Sequence, residues 1–505
     1  MKLTYSKGKL NTVKADSLIV LTFSDKDLLA KTVNKLDKYL NGQLNALVSA
    51  GDFKGKEKEV VVLYPTNSDM KSKRVIIVGL GEREKITLEK IRRSCAVASK
   101  KAQSLKSETI AIEFPDYSLL KDKINEDLSY IAQSVAEGSV LALYKFDKYL
   151  TNEEQKSHKV KEVIVFSEED SKDIREGIRV ADIVCSAVYL ARDLANAPAN
   201  EIYPETLAQA AINSGKKYGY KVKVLGKPEI EKLGMGGLLA VNSGSARPPR
   251  FIIMEYKGNP RSKETYVIAG KGITFDSGGL SIKPAQGMEE MKMDMSGAAA
   301  VIATMEAVAR LKLPVNLVGL VPATENMPGG SAYRPGDIIR TYSGKTIEVI
   351  NTDAEGRIIL ADALGYAQRY KPAAIIDLAT LTGACVVALG YFATGMFGND
   401  EKLMEEIKKA GEKTYERVWQ MPTWDEYDQL IKSDVADVKN SGGRWAGAIT
   451  AAKFLQKFVG NYPWVHLDIA GTAMLDKEYD YQPKGGSGVG VRLLVEFFRN
   501  KSKKK

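Results

Sequence analysis

The chain has 505 residues, 44% of them hydrophobic, 27% charged and 8% aromatic, and a net charge of +10 from 73 Lys/Arg against 63 Asp/Glu. That length and balance describe a globular protein of several domains with a large core, and they exclude collagen-like, disordered and mucin-like chains. Four of the excess positive charges sit in the tail Lys501-Ser502-Lys503-Lys504-Lys505, so the remainder is a mildly basic surface that permits nonspecific attraction to nucleic acid without requiring it.

The first residues, Met1 to Lys9, lack the apolar core and small-residue cleavage site of an export signal. Three widely spaced cysteines, Cys95, Cys185 and Cys385, make neither a disulfide framework nor a zinc knuckle, and the chain reads as cytoplasmic. Two histidines, His158 and His466, are too few for a His-rich metal site, so any metal is held mainly by oxygen. Strand-like runs over residues 17–23, 59–63 and 74–79 precede a helical pattern over 87–106, a strand over 109–114, a helix near 121–143 and a strand over 162–166. This alternation predicts an N-terminal α/β domain over residues 1–170. A long helical pattern over 171–196 is the expected connector, and it stops at Asn196-Ala197-Pro198-Ala199-Asn200.

From 197 to 505, strand runs at 250–256, 265–269, 315–320, 374–377 and 464–467 interleave with helical patterns at 297–311, 360–369, 401–414, 448–459 and 488–499. They predict a second, larger α/β domain with a mixed, mostly parallel central sheet flanked by helices. The apolar-rich stretch 373–398 approaches membrane-spanning length, yet its Asp377, threonines and glycines suit buried strand and loop, and no membrane partner is expected.

Four segments of the larger domain concentrate small residues, carboxylates and isolated cations where a plain core would place apolar side chains. The first is Gly270-Lys271-Gly272-Ile273-Thr274-Phe275-Asp276-Ser277-Gly278-Gly279, which fits neither a phosphate-binding P-loop nor a dinucleotide fingerprint and, taken alone, is equally a glycine-rich turn. Ser281-Ile282-Lys283-Pro284 follows. In the third, Met291-Lys292-Met293-Asp294-Met295-Ser296-Gly297-Ala298-Ala299-Ala300, Asp294 stands ahead of a small-residue helix, where it also suits capping. The fourth, Asn351-Thr352-Asp353-Ala354-Glu355-Gly356-Arg357, puts two carboxylates two residues apart, a pair that repels itself unless a cation lies between. Asp276, Asp294, Asp353 and Glu355 carry four negative charges, which two divalent cations balance. Oxygen ligands suit Mg²⁺, Mn²⁺ and Zn²⁺, and a shared carboxylate can hold two ions about 3.5–4 Å apart. Residue types and spacing reach a candidate dinuclear metal site and stop there.

In this order the segments resemble the leucyl (cytosol) aminopeptidase family of dinuclear-metal peptidases, whose signature heptapeptide residues 351–357 match. The blocks at 325–337, 378–384 and 466–473 are similar to others of that family, and the likeness runs from about residue 191 to the C-terminus. The first 170 residues share only a generic likeness with its N-terminal domain. The resemblance implies two divalent ions per subunit, Mn²⁺ or Zn²⁺, with Mg²⁺ or Co²⁺ admitted at the exchangeable position. Lys271, Asp276, Asp294 and Glu355 would form the tight site, and Asp276, Asp353 and Glu355 the exchangeable one. It further implies that Lys283 polarises the scissile carbonyl and that Arg357 holds bicarbonate as general base, while a water or hydroxide bridging the metals attacks. Met291, Thr380, Gly383 and Ala473 match positions around the first substrate side chain, so peptides with N-terminal leucine, methionine or another apolar residue are the expected substrates. A homohexamer is implied in the same way. His466 is expected to be structural, Cys385 to be core and His158 to be solvated. The alternatives are a DNA-binding regulatory protein on the same scaffold, a phosphoesterase using the same carboxylates, and an inactive scaffold.

Overall fold

The computed structural model describes residues 1–66 and 69–503. The chain divides into two compact units, the first made of Met1–Ser186 with Lys477–Pro483, the second of Ala187–Asp476 and the chain from Lys484 onward.

The first unit is built on six strands, β1 (Lys2–Lys7), β2 (Ser17–Thr22), β3 (Val60–Leu63), β4 (Val75–Gly79), β5 (Thr109–Glu113) and β6 (Glu162–Ser167), in the order β1-β6-β5-β2-β4-β3. All pairings are parallel except that of β3 with β4. Its helices are α1 (Lys26–Leu40), α2 (Gln43–Ala50), α3 (Leu88–Ser104), α4 (Leu128–Leu141) and the long α5 (Lys172–Asn196), within which the unit boundary falls. Consecutive residues of β2 and β4 point to opposite faces, and both faces are covered. Leu18, Val20, Val75 and Ile77 pack with Leu29, Val33 and Leu36 of α1, whereas Ile19, Ile76 and Val78 pack with Ile91 of α3, Ile131 of α4 and Ile178 of α5. Burial on both sides is why β4 reads as an unbroken apolar run. Helix α4 begins later than the periodicity suggests, because the Asp127 carboxylate caps it by accepting from the Tyr130 amide at 2.7 Å.

Lys477–Pro483 lies far along the chain yet belongs to this first unit. Glu478 pairs with Lys100 and with Lys145 (3.0 Å), Asp480 with Lys58 (3.2 Å) and Arg93 (3.5 Å), and the Tyr481 hydroxyl donates to Glu89 at 3.0 Å.

The second unit runs through α6 (Pro204–Tyr218), β7 (Lys221–Leu225), α7 (Lys227–Lys232), α8 (Gly236–Asn242), β8 (Arg250–Lys257), β9 (Thr265–Gly270), β10 (Gly272–Asp276), α9 (Ser296–Leu311) and β11 (Asn316–Asn326). It continues with β12 (Ile338–Arg340), β13 (Thr346–Glu348), α10 (Glu355–Ala367), β14 (Ala374–Ala379), α11 (Gly383–Leu389), β15 (Thr394–Gly398), α12 (Glu401–Thr414), β16 (Val418–Gln420), β17 (Val438–Lys439), α13 (Gly447–Gln456), β18 (Trp464–Asp468) and α14 (Val491–Lys503). The main sheet has the order β16-β15-β18-β14-β9-β11-β8-β7, with β10 paired to β11. Its centre, β18-β14-β9-β11, is parallel, and β15 and β8 close it in antiparallel fashion. The domain is thus α/β with a mixed, mostly parallel sheet flanked by helices. The stretch 373–398 folds as strand β14, the seven-residue helix α11 and strand β15, and among the described residues no helix is long and apolar enough to cross a membrane.

One buried carboxylate ties α10 to its neighbours. Asp362 accepts from the Leu238 amide at 2.8 Å through one oxygen and from the Tyr342 amide at 2.7 Å through the other. Asp362→Asn must turn an NH₂ group toward one of these N–H donors, so a loss of about 2–3 kcal/mol is expected, read as a lower unfolding midpoint in urea. An unchanged midpoint would show that α10 does not depend on this carboxylate.

Candidate active site

The parallel strands of the second unit deliver their carboxyl ends to one edge, the edge where open α/β sheets keep their sites. Lys271 stands between β9 and β10, Asp276 ends β10, Asn326 ends β11, Thr380 follows β14 and Asp468 ends β18. A register irregularity between Ile273 and Asp276 turns the end of β10 relative to β11. Asp294 and Glu355 arrive on helix starts, Asp294 two residues before α9 and Glu355 as the first residue of α10.

These elements bring six of the expected residues into one cluster. Lys271 Nζ lies 2.8 Å from Asp294 Oδ2 and 2.9 Å from Glu355 Oε1, and it donates to the Thr380 carbonyl at 2.8 Å. Lys283 Nζ lies 2.8 Å from Asp276 Oδ2 and 2.5 Å from Asp353 Oδ1. One oxygen from each of Asp276, Asp353 and Glu355 falls within 4.8 Å of the other two. Lys271, Asp276, Asp294 and Glu355 are all buried. Glu355 Oε2 is buried with no hydrogen-bond partner among the described residues.

The charges of this cluster perturb one another strongly. Burial, with Asp276 close by, pushes Glu355 up to about 8 against the pull of Lys271, and burial raises Asp294 to about 6. For Lys271, burial disfavours the ammonium, but Asp294, Glu355 and Asp276 outweigh it and hold the amine above its ordinary range. Lys283 is raised in the same way, by Asp276 foremost.

Local backbone chemistry explains the small residues. A Cβ on Gly356 would meet Lys271 Cε at 2.5 Å, so this glycine is what lets the lysine stem enter the carboxylate cluster. Gly278 has φ +87° and faces the Ser281 carbonyl at a distance that admits no side chain.

Arg357, on the first turn of α10, is buried, donates from one Nη to the Asn440 carbonyl at 2.7 Å, and keeps Nε without a hydrogen-bond partner among the described residues. Burial draws it down to about 10 against the pull of Glu355. Of the four pocket candidates, Thr380 touches the cluster, its hydroxyl donating to Asp294 Oδ1 at 2.6 Å. Met291 is half-buried on the 3₁₀ turn ahead of Asp294, Gly383 opens α11 facing free space, and Ala473 is buried in the turn after β18.

Several supporting residues carried no role in the sequence reading. Asn326 donates to Asp276 Oδ1 at 2.8 Å and to the Thr352 carbonyl at 3.0 Å, and the Tyr333 hydroxyl donates to the same carbonyl at 2.7 Å. Asn440, fully buried, accepts from the Ile350 amide and donates to the Asn351 carbonyl, both at 2.7 Å, and so fixes the entry to the heptapeptide. Asn326 and Tyr333 lie in the family-like block 325–337, which was the sequence signal for both. His466, buried, places Nδ1 2.6 Å from Asp377 and stacks on Phe397 and Trp464. Cys385 is buried, whereas His158 is half-buried, with its Nε2 shielded rather than solvated.

This geometry can be set beside known proteins. Residues 189–495 match the catalytic domain of the cytosol aminopeptidase family, and residues 19–153 match its N-terminal domain. The chain belongs to the cytosol aminopeptidase family. It is 48% identical to a probable cytosol aminopeptidase of Roseiflexus castenholzii, over 92% of this chain and 94% of that one, and 48% identical to one of Chlorobaculum tepidum over 99% of each. Among solved structures, a variant of tomato leucine aminopeptidase superposes with a TM-score of 0.87 at 33% identity, over 99% of this chain and 96% of that one. The bottromycin maturation enzyme BotP in complex with Mn superposes with a TM-score of 0.85 at 34% identity, over 97% and 100%. As a member of this cytosol aminopeptidase family the chain is a metal-dependent enzyme that removes residues from the N-terminus of peptides.

Proposed function

We propose that the enzyme releases apolar N-terminal residues, leucine and methionine foremost, and that Lys271, Asp276, Asp294, Asp353 and Glu355 hold two divalent cations, Mn²⁺ or Zn²⁺. The observation that carries this is the buried Glu355 carboxylate, with one oxygen lacking any hydrogen-bond partner among the described residues, in a cluster of hard oxygen donors. Four carboxylates against two lysines leave an excess of two negative charges, which rises to three once Lys271 ligates as the neutral amine, against the four positive charges of two dications. A dication also reverses the local preference of Lys271, since its charge, unlike the carboxylates, favours the neutral amine that a ligand must be. The exchangeable position, formed by Asp276, Asp353 and Glu355, would also admit Mg²⁺ or Co²⁺. When bound, the pair would supply an activated water and a Lewis acid for the scissile carbonyl.

The chain's own groups do the rest. Lys283, less buried than Lys271, offers an ammonium to the carbonyl oxygen as negative charge develops there. The substrate's free α-amine would sit at the tight metal position, close to Asp294, which would restrict cleavage to the first residue, and the Thr380 hydroxyl orients that carboxylate. Arg357 would hold bicarbonate, which would supply the general base that the committed carboxylates cannot. Met291, Thr380, Gly383 and Ala473 would surround the first side chain. Buried free cysteines and the family's name favour a cytoplasmic location, and a homohexamer would show a solution mass near six times the 55.3 kDa chain.

The direct test is hydrolysis of L-leucine para-nitroanilide after EDTA treatment and again after adding Mn²⁺. Turnover lost and then restored is expected, whereas turnover indifferent to both would remove the metal assignment. The titration of Glu355 adds a second test. Its carboxyl, held up to about 8, and the Lys271 ammonium, held above its ordinary range, must each lose a proton to ligate, so Mn²⁺ affinity should weaken by up to about a hundredfold per pH unit below 8, and less steeply in Glu355→Gln. Calorimetric affinities that stay flat between pH 6 and 8 would count against both as ligands.

A further inference from the structure

The first unit carries a cavity of its own, of about 470 Å³. It opens at the carboxyl ends of β2, β5 and β6, lined there by Phe23, Glu113, Phe114 and Glu168, with Leu28, Lys31 and Lys35 of α1 along one side. Its place in the topology is special. From β2 the chain departs to α1 on one face of the sheet, and from its neighbour β5 it departs to α4 on the other face. Between two such strands the connections part and leave a crevice, which is where open α/β sheets bind ligands.

The groups around the crevice select among ligand classes. A phosphate is disfavoured, because the start of α1 carries Asp25 and Asp27, and the Asp25 carboxylate already accepts the Arg83 amide at 2.8 Å. Glu113, Asp116 and Glu168 add further negative charge, while Lys31 and Lys35 supply positive charge on the helix side. Lys35 and Glu113 form an ion pair across the cavity. Leu21, Leu28, Phe114 and Leu119 give an apolar wall. A ligand with one ammonium, one carboxylate and an aliphatic or aromatic side chain answers all three features.

We propose that this crevice binds a free apolar α-amino acid, its carboxylate on Lys35 and Lys31 and its ammonium on Glu113. Inserting the zwitterion exchanges one ion pair for two of the same kind, so no charge is left uncompensated. Free amino acids are what an aminopeptidase releases, so the reaction itself supplies the occupant; this choice of occupant rests on the exopeptidase reading, whereas the site does not.

Equilibrium dialysis of L-leucine against the full-length protein tests the proposal, with turnover followed in parallel. The Glu355→Ala protein, impaired at the other site, should bind one leucine per chain. The Lys35→Met/Glu113→Gln double variant and Leu28→Trp, which fills the apolar wall, should bind at least about tenfold more weakly while hydrolysing substrate normally. 4-Methylpentanoate and isoamylamine, each with one charge missing, should also bind at least about tenfold more weakly. Should Leu28→Trp fail to fold by circular dichroism, the charge variant carries the test. The proposal is overturned by absence of saturable binding, by binding lost in Glu355→Ala but kept in the crevice variants, or by AMP or inorganic phosphate binding there in preference to leucine.

Discussion

Glu355→Ala is expected to lower turnover by on the order of a thousandfold or more and to abolish retention of Mn²⁺ through gel filtration. Glu355 faces both candidate metal positions, close to Lys271 on one side and within 4.8 Å of Asp276 and Asp353 oxygens on the other. Its loss therefore disables both positions together. The fold should survive, because the substitution deletes a desolvated carboxylate whose neighbour Lys271 keeps Asp294 at 2.8 Å and the Thr380 carbonyl. Near-normal turnover in a folded variant would sink the site assignment, and a variant that does not fold is answered by Glu355→Gln, which keeps the shape and removes the charge.

Lys283→Met should separate chemistry from metal binding. Its ammonium pairs with Asp276 and Asp353 but is the more exposed of the two lysines, at 21% against 4% for the side chain of Lys271. It is therefore placed to reach substrate, and its removal should cost about 10²–10³ in kcat with KM little changed. Mn²⁺ content should be retained, since the substitution takes a competing cation away from two carboxylates. A kcat within about threefold of the parent would show that Lys283 only neutralises charge, and loss of metal with it would make it a structural partner of the ligands.

The larger part of both sheets was legible in the sequence where strands are buried on both faces, as in Val75–Gly79 and Ala374–Ala379, because continuous apolar runs have no other use at that length. Lys2–Lys7 and Lys221–Leu225 were not, since lysines punctuate them and their exposure leaves only a faint alternation. Helix α1 escaped for a related reason. Its lysines dilute the apolar positions, although Leu29, Val33, Leu36 and Leu40 keep a helical spacing. In the site, the residue types of the cluster were readable because carboxylates and lysines among glycines have no packing role. Asn326 and Tyr333 lay in the block 325–337 without a role, and Asn440 was hidden. Their importance lies in hydrogen bonds to backbone atoms distant in sequence, and Lys439-Asn440-Ser441-Gly442-Gly443 reads locally as a turn.

The seven residues Lys477–Pro483 give the first unit an unusual dependence on time. A ribosome delivers Met1–Ser186 early, yet Glu478, Asp480 and Tyr481, which meet Lys100, Lys145, Lys58, Arg93 and Glu89, emerge only after nearly all of the second unit. At ordinary elongation rates that wait is on the order of 15–60 s. During it, the nascent first unit presents the Glu89 carboxylate without its tyrosine and several lysines without their acidic partners. Completion of the N-terminal unit is thereby tied to synthesis of the C-terminal one, so a chain truncated before residue 477 would leave both ends of the protein unfinished.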